Sequence, residues 1–244
     1  MMPNYFTTLV QLLLIVLVMP YVGAAVISAI TKRTNQLIVN HFGTQAQFYF
    51  SFFGIIVHEL SHAAMALLFR HKIDKISLVQ KADVEQTLGY VSHAWNPKSL
   101  YQQLGNFFIG MGPLFGIGLA VWLTTYVCWP QLLTALLRLD SSQLWMGIIW
   151  WHLLIWLLLC IQFCLALNLS RADWQNIQSG IVSYIVFLAV LAVPLCFIVT
   201  NTQMLWQDFG RYILYFLLAM FGFSLVIDVV FNVLTRTREV RSLS

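Results

Sequence analysis

Six apolar runs, each close to the length that crosses a bilayer, constrain this chain more than any other feature. They fall at about 6–30, 44–69, 103–128, 145–167, 178–200 and 209–234. A helix needs roughly 20 predominantly apolar residues to span the hydrocarbon. Charged residues make up only 9% of the 244, against about 25% in a soluble domain, so the chain cannot supply a soluble surface. The expected fold is therefore an all-α integral membrane protein of about six transmembrane helices, with no loop long enough for a separate domain. The first run has no basic residue before it and is too long for a signal peptide, so it is read as a retained span containing Pro20. The net charge of +4 comes mostly from loop residues. No repeat or nucleic-acid signature accompanies it, which leaves the lipid bilayer as the expected partner surface.

Within the second run the sequence reads His58-Glu59-Leu60-Ser61-His62. Ionisable groups inside a membrane span cost roughly 2.5–3.5 kcal/mol each at its centre, which makes them functional candidates. Positions i and i+4 of a helix lie about 40° apart, so both imidazoles face one way. That pair can hold Zn2+, with Glu59 as general base toward an attacking water. A polar interhelical cluster is the alternative.

A catalytic zinc takes three protein ligands, and two acids are candidates for the third. Asp173 follows the fourth run in Asn168-Leu-Ser-Arg-Ala-Asp173, where a helix cap or a partner for Arg171 is the competing explanation. Asp228 lies inside the sixth run, in Leu-Val-Ile-Asp-Val-Val. Basic residues gather after the second run (Arg70, Lys72, Lys75, Lys81, Lys98) and after the last (Arg236, Arg238, Arg241). The positive-inside rule places both groups in the cytoplasm, giving an N-in, C-in topology. Lys32, Arg33, Arg138 and Arg211 then fall on the other side.

Four features in order, over about residues 50–180, resemble the site-2 protease family of intramembrane zinc metalloproteases. They are the His58–His62 motif on a span, Gly89-Tyr90-Val91 after a polar segment, Gly112-Pro113-Leu114 on the next span, and Asn168-Leu169 followed by Asp173. Here the Asn-to-Asp spacing is short, Trp174 follows the Asp, and Phe115-Gly116 stands where many members have Asn. The resemblance implies a minimal protease-like core at about 44–180, with extra spans at 6–30, 178–200 and 209–234. It implies Zn2+ held by His58, His62 and Asp173, and Glu59 as catalytic base. Gly89, Tyr90, Val91, Gly112, Pro113 and Asn168 would contact substrate, a transmembrane or membrane-anchored protein. Short loops and the lack of a transit peptide point to a prokaryotic cell membrane. An inactive relative that binds transmembrane partners, and an ion transporter using His58, Glu59, His62 and Asp228, are the alternatives.

Lys75–Gln80 and Gly89–Trp95 read as two short strands around a charged turn at Lys81–Glu85, an edge to which an unwound peptide can add. His93 reads as an interfacial residue. Cys160 and Cys164 share a helix face but read as small buried apolar groups. His152 belongs with Trp150, Trp151 and Trp156 in an aromatic belt. Gly105, Gly110, Gly112, Gly116 and Gly118 allow the third span to approach the motif helix, and Gly112-Pro113 is expected to break it.

Overall fold

The computed structural model describes residues 5–80, 88–138, 140–198 and 205–243. α1 (Tyr5–Phe42) is followed by α2 (Thr44–Leu68), the strands β1 (Lys72–Ser77) and β2 (Tyr90–Ala94), and α3 (Leu100–Cys128). Then come α4 (Pro130–Arg138), α5 (Trp150–Leu165), α6 (Arg171–Ile198) and α7 (Arg211–Leu243). Five of these helices, α1, α2, α3, α6 and α7, are long and apolar enough to cross a membrane. This is a multi-pass, all-α membrane protein with one small sheet.

The expectation of six crossings is corrected. The run at 145–167 forms only the 16-residue α5, which stops at Leu165. Gly54 of α2 abuts the Gln162 carbonyl and Ala166, and the Phe53 N–H donates to Gln162 at 3.1 Å, so α5 runs parallel to α2 and ends beside its middle. α6 begins there and continues the same way, antiparallel to α3: Gly110 abuts Asp173 and Ile177, and Ser183 donates to Gln103 at 2.9 Å. α5 and α6 thus make one interrupted crossing.

A second correction follows. Gly23 abuts Leu217 and Thr34 donates to Asp228, so α1 and α7 are parallel. The rings of Phe50, near the start of α2, and Phe231, near the end of α7, lie 5.4 Å apart. The carboxyl-terminal end of α7 therefore sits with the start of α2, while the hairpin follows its end. The two basic groups assigned to one side lie at opposite ends of the bundle, because the apolar runs at 145–167 and 178–200 share one crossing.

The break between α5 and α6 needs partners for its backbone, since apolar surroundings offer none. A polar stripe on α1 supplies them. Thr31 donates to the Cys164 carbonyl at 3.3 Å and Asn35 to that of Leu165 at 3.0 Å, while Ser28 accepts from the Leu169 N–H at 2.9 Å. At the start of α6, Ser170 and Asp173 form a reciprocal capping box: the Ser170 N–H donates to Oδ2 of Asp173 at 2.6 Å, and the Asp173 N–H to the Ser170 hydroxyl at 3.2 Å.

α3 continues unbroken through Gly112 and Pro113, contrary to the expected break. Its glycines admit α2, as predicted for Gly112 and Gly116 against Ser61, but Gly110 faces α6, Gly118 faces Phe216 of α7, and Gly105 faces Phe69 and His71. The two strands pair antiparallel from Lys72↔Ala94 to Ser77↔Tyr90 with an irregularity between Ile73 and Lys75. The first begins earlier than predicted, because α2 ends in a tight turn: Arg70 takes a left-handed φ of 59°, and the His71 N–H returns to the Ala66 carbonyl at 2.8 Å. The charged turn predicted at Lys81–Glu85 lies outside the described residues.

Candidate metal centre

His58 and His62 project from one face of α2, and both are buried. Each imidazole leans on a carbonyl that its own helix cannot use. The Ala166 carbonyl, at the end of α5, lies 2.7 Å from His58 Nδ1. The Ile109 carbonyl lies 2.7 Å from His62 Nδ1. In α3 that carbonyl would ordinarily accept from the residue four positions on, which is Pro113 and has no N–H. Near Pro20 a side chain also serves a helix carbonyl, the Tyr184 hydroxyl donating to that of Val16 at 3.0 Å.

A carbonyl only accepts, so both Nδ1 atoms carry the proton and both Nε2 atoms of the neutral rings present lone pairs. These lone pairs converge. His58 Nε2 and His62 Nε2 are 3.1 Å apart. Asp173 Oδ1 lies 3.0 Å from His62 Nε2, and Oδ2 3.8 Å from His58 Nε2. Two lone pairs and a carboxylate at such distances repel unless a positive charge, a metal ion or a proton, sits among them. Tetrahedral zinc with bonds of about 2.0–2.1 Å would place its donors about 3.3 Å apart, and the observed spacings bracket that value. Among the described residues, His58, His62 and Asp173 are the set of three that can hold a metal ion. Asp173 thus has both roles foreseen for it, helix cap and candidate ligand.

Asp228 is elsewhere. It accepts from Thr34 at 2.9 Å and pairs with Arg33 at 3.5 Å, which removes it as third ligand. Cys160 packs with Trp129 and Trp156, and Cys164 lies in the main apolar core. His152 stacks edge-on against Trp151 at 3.9 Å.

Glu59 is buried beside the two histidines in the wall of a cavity of about 660 Å³. Gly89, Tyr90, Val91 and Asn168 line the same cavity. A Cβ on Gly89 would stand 2.7 Å from Glu59 Cγ and 2.9 Å from Oε1, so the hairpin backbone lies against the carboxylate only because residue 89 has no side chain. Gly112 and Pro113 are not in the cavity wall. Both are buried between helices, Gly112 against the Ser61 carbonyl, apart from the other residues expected to contact substrate. α1 also lines the cavity, through Ala25, Ser28, Ala29, Lys32 and Asn35.

Sequence reasoning missed a second histidine pair. His71 Nε2 faces the Gln102 carbonyl at 2.9 Å, so it donates and leaves His71 Nδ1 to accept from His93 Nδ1 at 3.1 Å. His93 Nε2 is then the acceptor for Asn176 Nδ2, a long contact of 3.5 Å. Burial pushes His93 down to about 4, helped by the neighbouring His71. His71 is also lowered by burial, against the effect of the Gln102 carbonyl. The chain of neutral tautomers ties the end of α2, the start of α3, β2 and α6 together at the cavity rim. The spacing of His71 and His93 across a predicted hairpin was its one sequence signal, as Ser28, Thr31 and Asn35 on one helix face were for the α1 stripe.

Compared with protein-family models, curated proteins and solved structures, the chain matches none.

Proposed function

We propose that this protein is an intramembrane zinc metalloprotease, similar to the site-2 protease family, that hydrolyses peptide bonds of transmembrane or membrane-anchored proteins. The observation that carries the reading is the convergence of two bare Nε2 atoms and the Asp173 carboxylate within 3.0–3.8 Å next to Glu59. Two imidazoles and one carboxylate suit zinc and leave room for a further ligand. Zinc in such a set supplies Lewis-acid polarisation of a carbonyl and a lowered pKa for water.

The protein's own groups do the rest. Glu59 takes a proton from the attacking water and delivers it to the leaving amine nitrogen. The Ile109 and Ala166 carbonyls hold the imidazoles in the tautomer that ligates. A helix hides its peptide bonds, so the substrate must unwind, and its exposed N–H and C=O groups then need partners. Residues Gly89–Val91, at the start of β2, run along the cavity and offer backbone to a peptide that adds as a strand.

The interrupted α5–α6 crossing favours one other reading, since transporters often place their sites at such breaks. Asp228, the fourth group of that relay, is bound to Arg33 and Thr34 instead. Zinc per chain in purified protein, and cleavage of transmembrane peptides by wild type and Glu59→Gln, test the proposal. Near-stoichiometric zinc in both, with cleavage lost at least a hundredfold in the variant, is expected. Full proteolysis by Glu59→Gln would refute the base assignment. Zinc uptake into proteoliposomes without proteolysis would favour the transporter.

A further inference from the structure

α1 carries two adjacent cations just past its apolar run, and they are treated differently. Arg33 reaches the buried Asp228 of α7 at 3.5 Å. Lys32 makes no ion pair among the described residues and projects into the cavity that holds Glu59 and the metal set. Apolar surface on the neighbouring helices continues past the level of Lys32. Beyond Asp228, α7 continues with exposed Val229, Val230, Val233 and Leu234, and the facing end of α2 exposes Tyr49, Phe50 and Phe53. From Lys32 to the end of α1 at Phe42 is roughly 15 Å of helix rise, farther than a lysine side chain reaches on its own.

The Lys32 side chain is exposed at this cavity, so its ammonium is free to meet an anion that enters. The cavity wall has one other cation, Arg171 in the first turn of α6, and two acids, Glu59 and Asp173. Both acids are committed to the metal centre and its base. The charges left over are positive, and they face the space a substrate segment would occupy.

We propose that Lys32 is a specificity-determining residue that recognises a carboxylate on the substrate, an acidic side chain or a chain-terminal carboxylate near the scissile bond. This rests on the hydrolytic reading for the identity of the ligand as a peptide. The recognition itself is readable without catalysis. A carboxylate moved from water into this cavity gains an ammonium partner, and the ammonium gains the anion it lacks. An amide isostere gains neither.

The test uses the full chain in zwitterionic micelles, in the Glu59→Gln background so that nothing is cut. The probes are fluorescent 25-residue apolar peptides with a single Asp, or the isosteric Asn, scanned along the central positions. In one narrow register the Asp peptide is expected to bind about tenfold more tightly than its Asn twin, the range of a charge-assisted hydrogen bond. Lys32→Met should bring that ratio to about one with Asn-peptide binding unchanged. Lys32→Glu should transfer the preference to a peptide carrying Lys at the same register. An Asp:Asn ratio that is unchanged in Lys32→Met overturns the proposal. So does Lys32-dependent retention of an anionic phospholipid with no peptide preference. Cleavage by the protein with Glu59 intact is read in parallel. If it is absent while the Lys32-dependent preference persists, the hydrolytic reading fails and carboxylate recognition stands.

Discussion

Replacing Pro113 with Ala should make the fold more stable and the metal weaker, although stability and metal affinity ordinarily change in the same direction. Alanine returns an N–H to position 113, one turn after Ile109, and that N–H competes for the carbonyl now held by His62 Nδ1 at 2.7 Å. On intrinsic propensity, Pro to Ala in a helix interior is worth up to about 3 kcal/mol, a figure that already includes the regained main-chain bond. His62 loses the partner that sets its tautomer and ring angle. Loss of such a partner costs about 10–100-fold in metal affinity, or about 1.4–2.7 kcal/mol. The assay is a competition titration against a zinc chelator, paired with thermal unfolding of the chelated protein. A rise in the unfolding midpoint of the metal-free variant with a tenfold or greater loss of zinc affinity is expected. A carbonyl has two lone pairs, so the alternative is that Ile109 accepts both N–H groups and affinity does not move. That result, or a parallel fall of stability and affinity, would refute the positioning role of Pro113.

Other outcomes follow from the same geometry. Gly89→Val should keep zinc but slow cleavage at least tenfold, because its side chain displaces Glu59; metal analysis alongside peptide hydrolysis checks this. Asp173→Asn keeps an acceptor for the Ser170 N–H, so the helix cap survives while zinc affinity falls more than tenfold. Asp228→Asn should keep zinc and lower stability by about 1–2 kcal/mol, since Arg33 loses its partner. His93 titrates near 4 when folded and near 6.5 when free, so the unfolded chain binds its proton first. Its contribution to stability is complete above about pH 6.5 and is lost as the pH falls toward 4. Unfolding midpoints of the chelated protein at pH 7.5 and 5 should therefore separate more in wild type than in His93→Gln.

Part of the candidate metal set was legible because covalent spacing enforces it. His58 and His62 share a face in any helix, and Ser170-x-x-Asp173 is a capping pattern that fixes where α6 starts. The choice between Asp173 and Asp228 was not legible from the residues, since it depends on which helix packs against α2. The number of crossings was misread for a related reason. Hydropathy reports that 145–167 and 178–200 are apolar, but not that side chains of α1 satisfy the backbone between them. The role of Pro113 was hidden because a proline in an apolar run reads as a kink, whereas its consequence here is a carbonyl left without its main-chain donor in an unbroken helix.

The interruption between α5 and α6 has an electrostatic consequence. Each helix end carries about half an elementary charge, negative at the carboxyl terminus and positive at the amino terminus. In one continuous helix those partial charges would cancel along the axis. Here the carboxyl end of α5 abuts His58 and the amino end of α6 abuts the Asp173 carboxylate. The field from α5 favours positive charge at the imidazoles, and the field from α6 favours the ionised acid. Both promote the charge state in which a cation is bound, so the broken crossing polarises the site before any ion arrives.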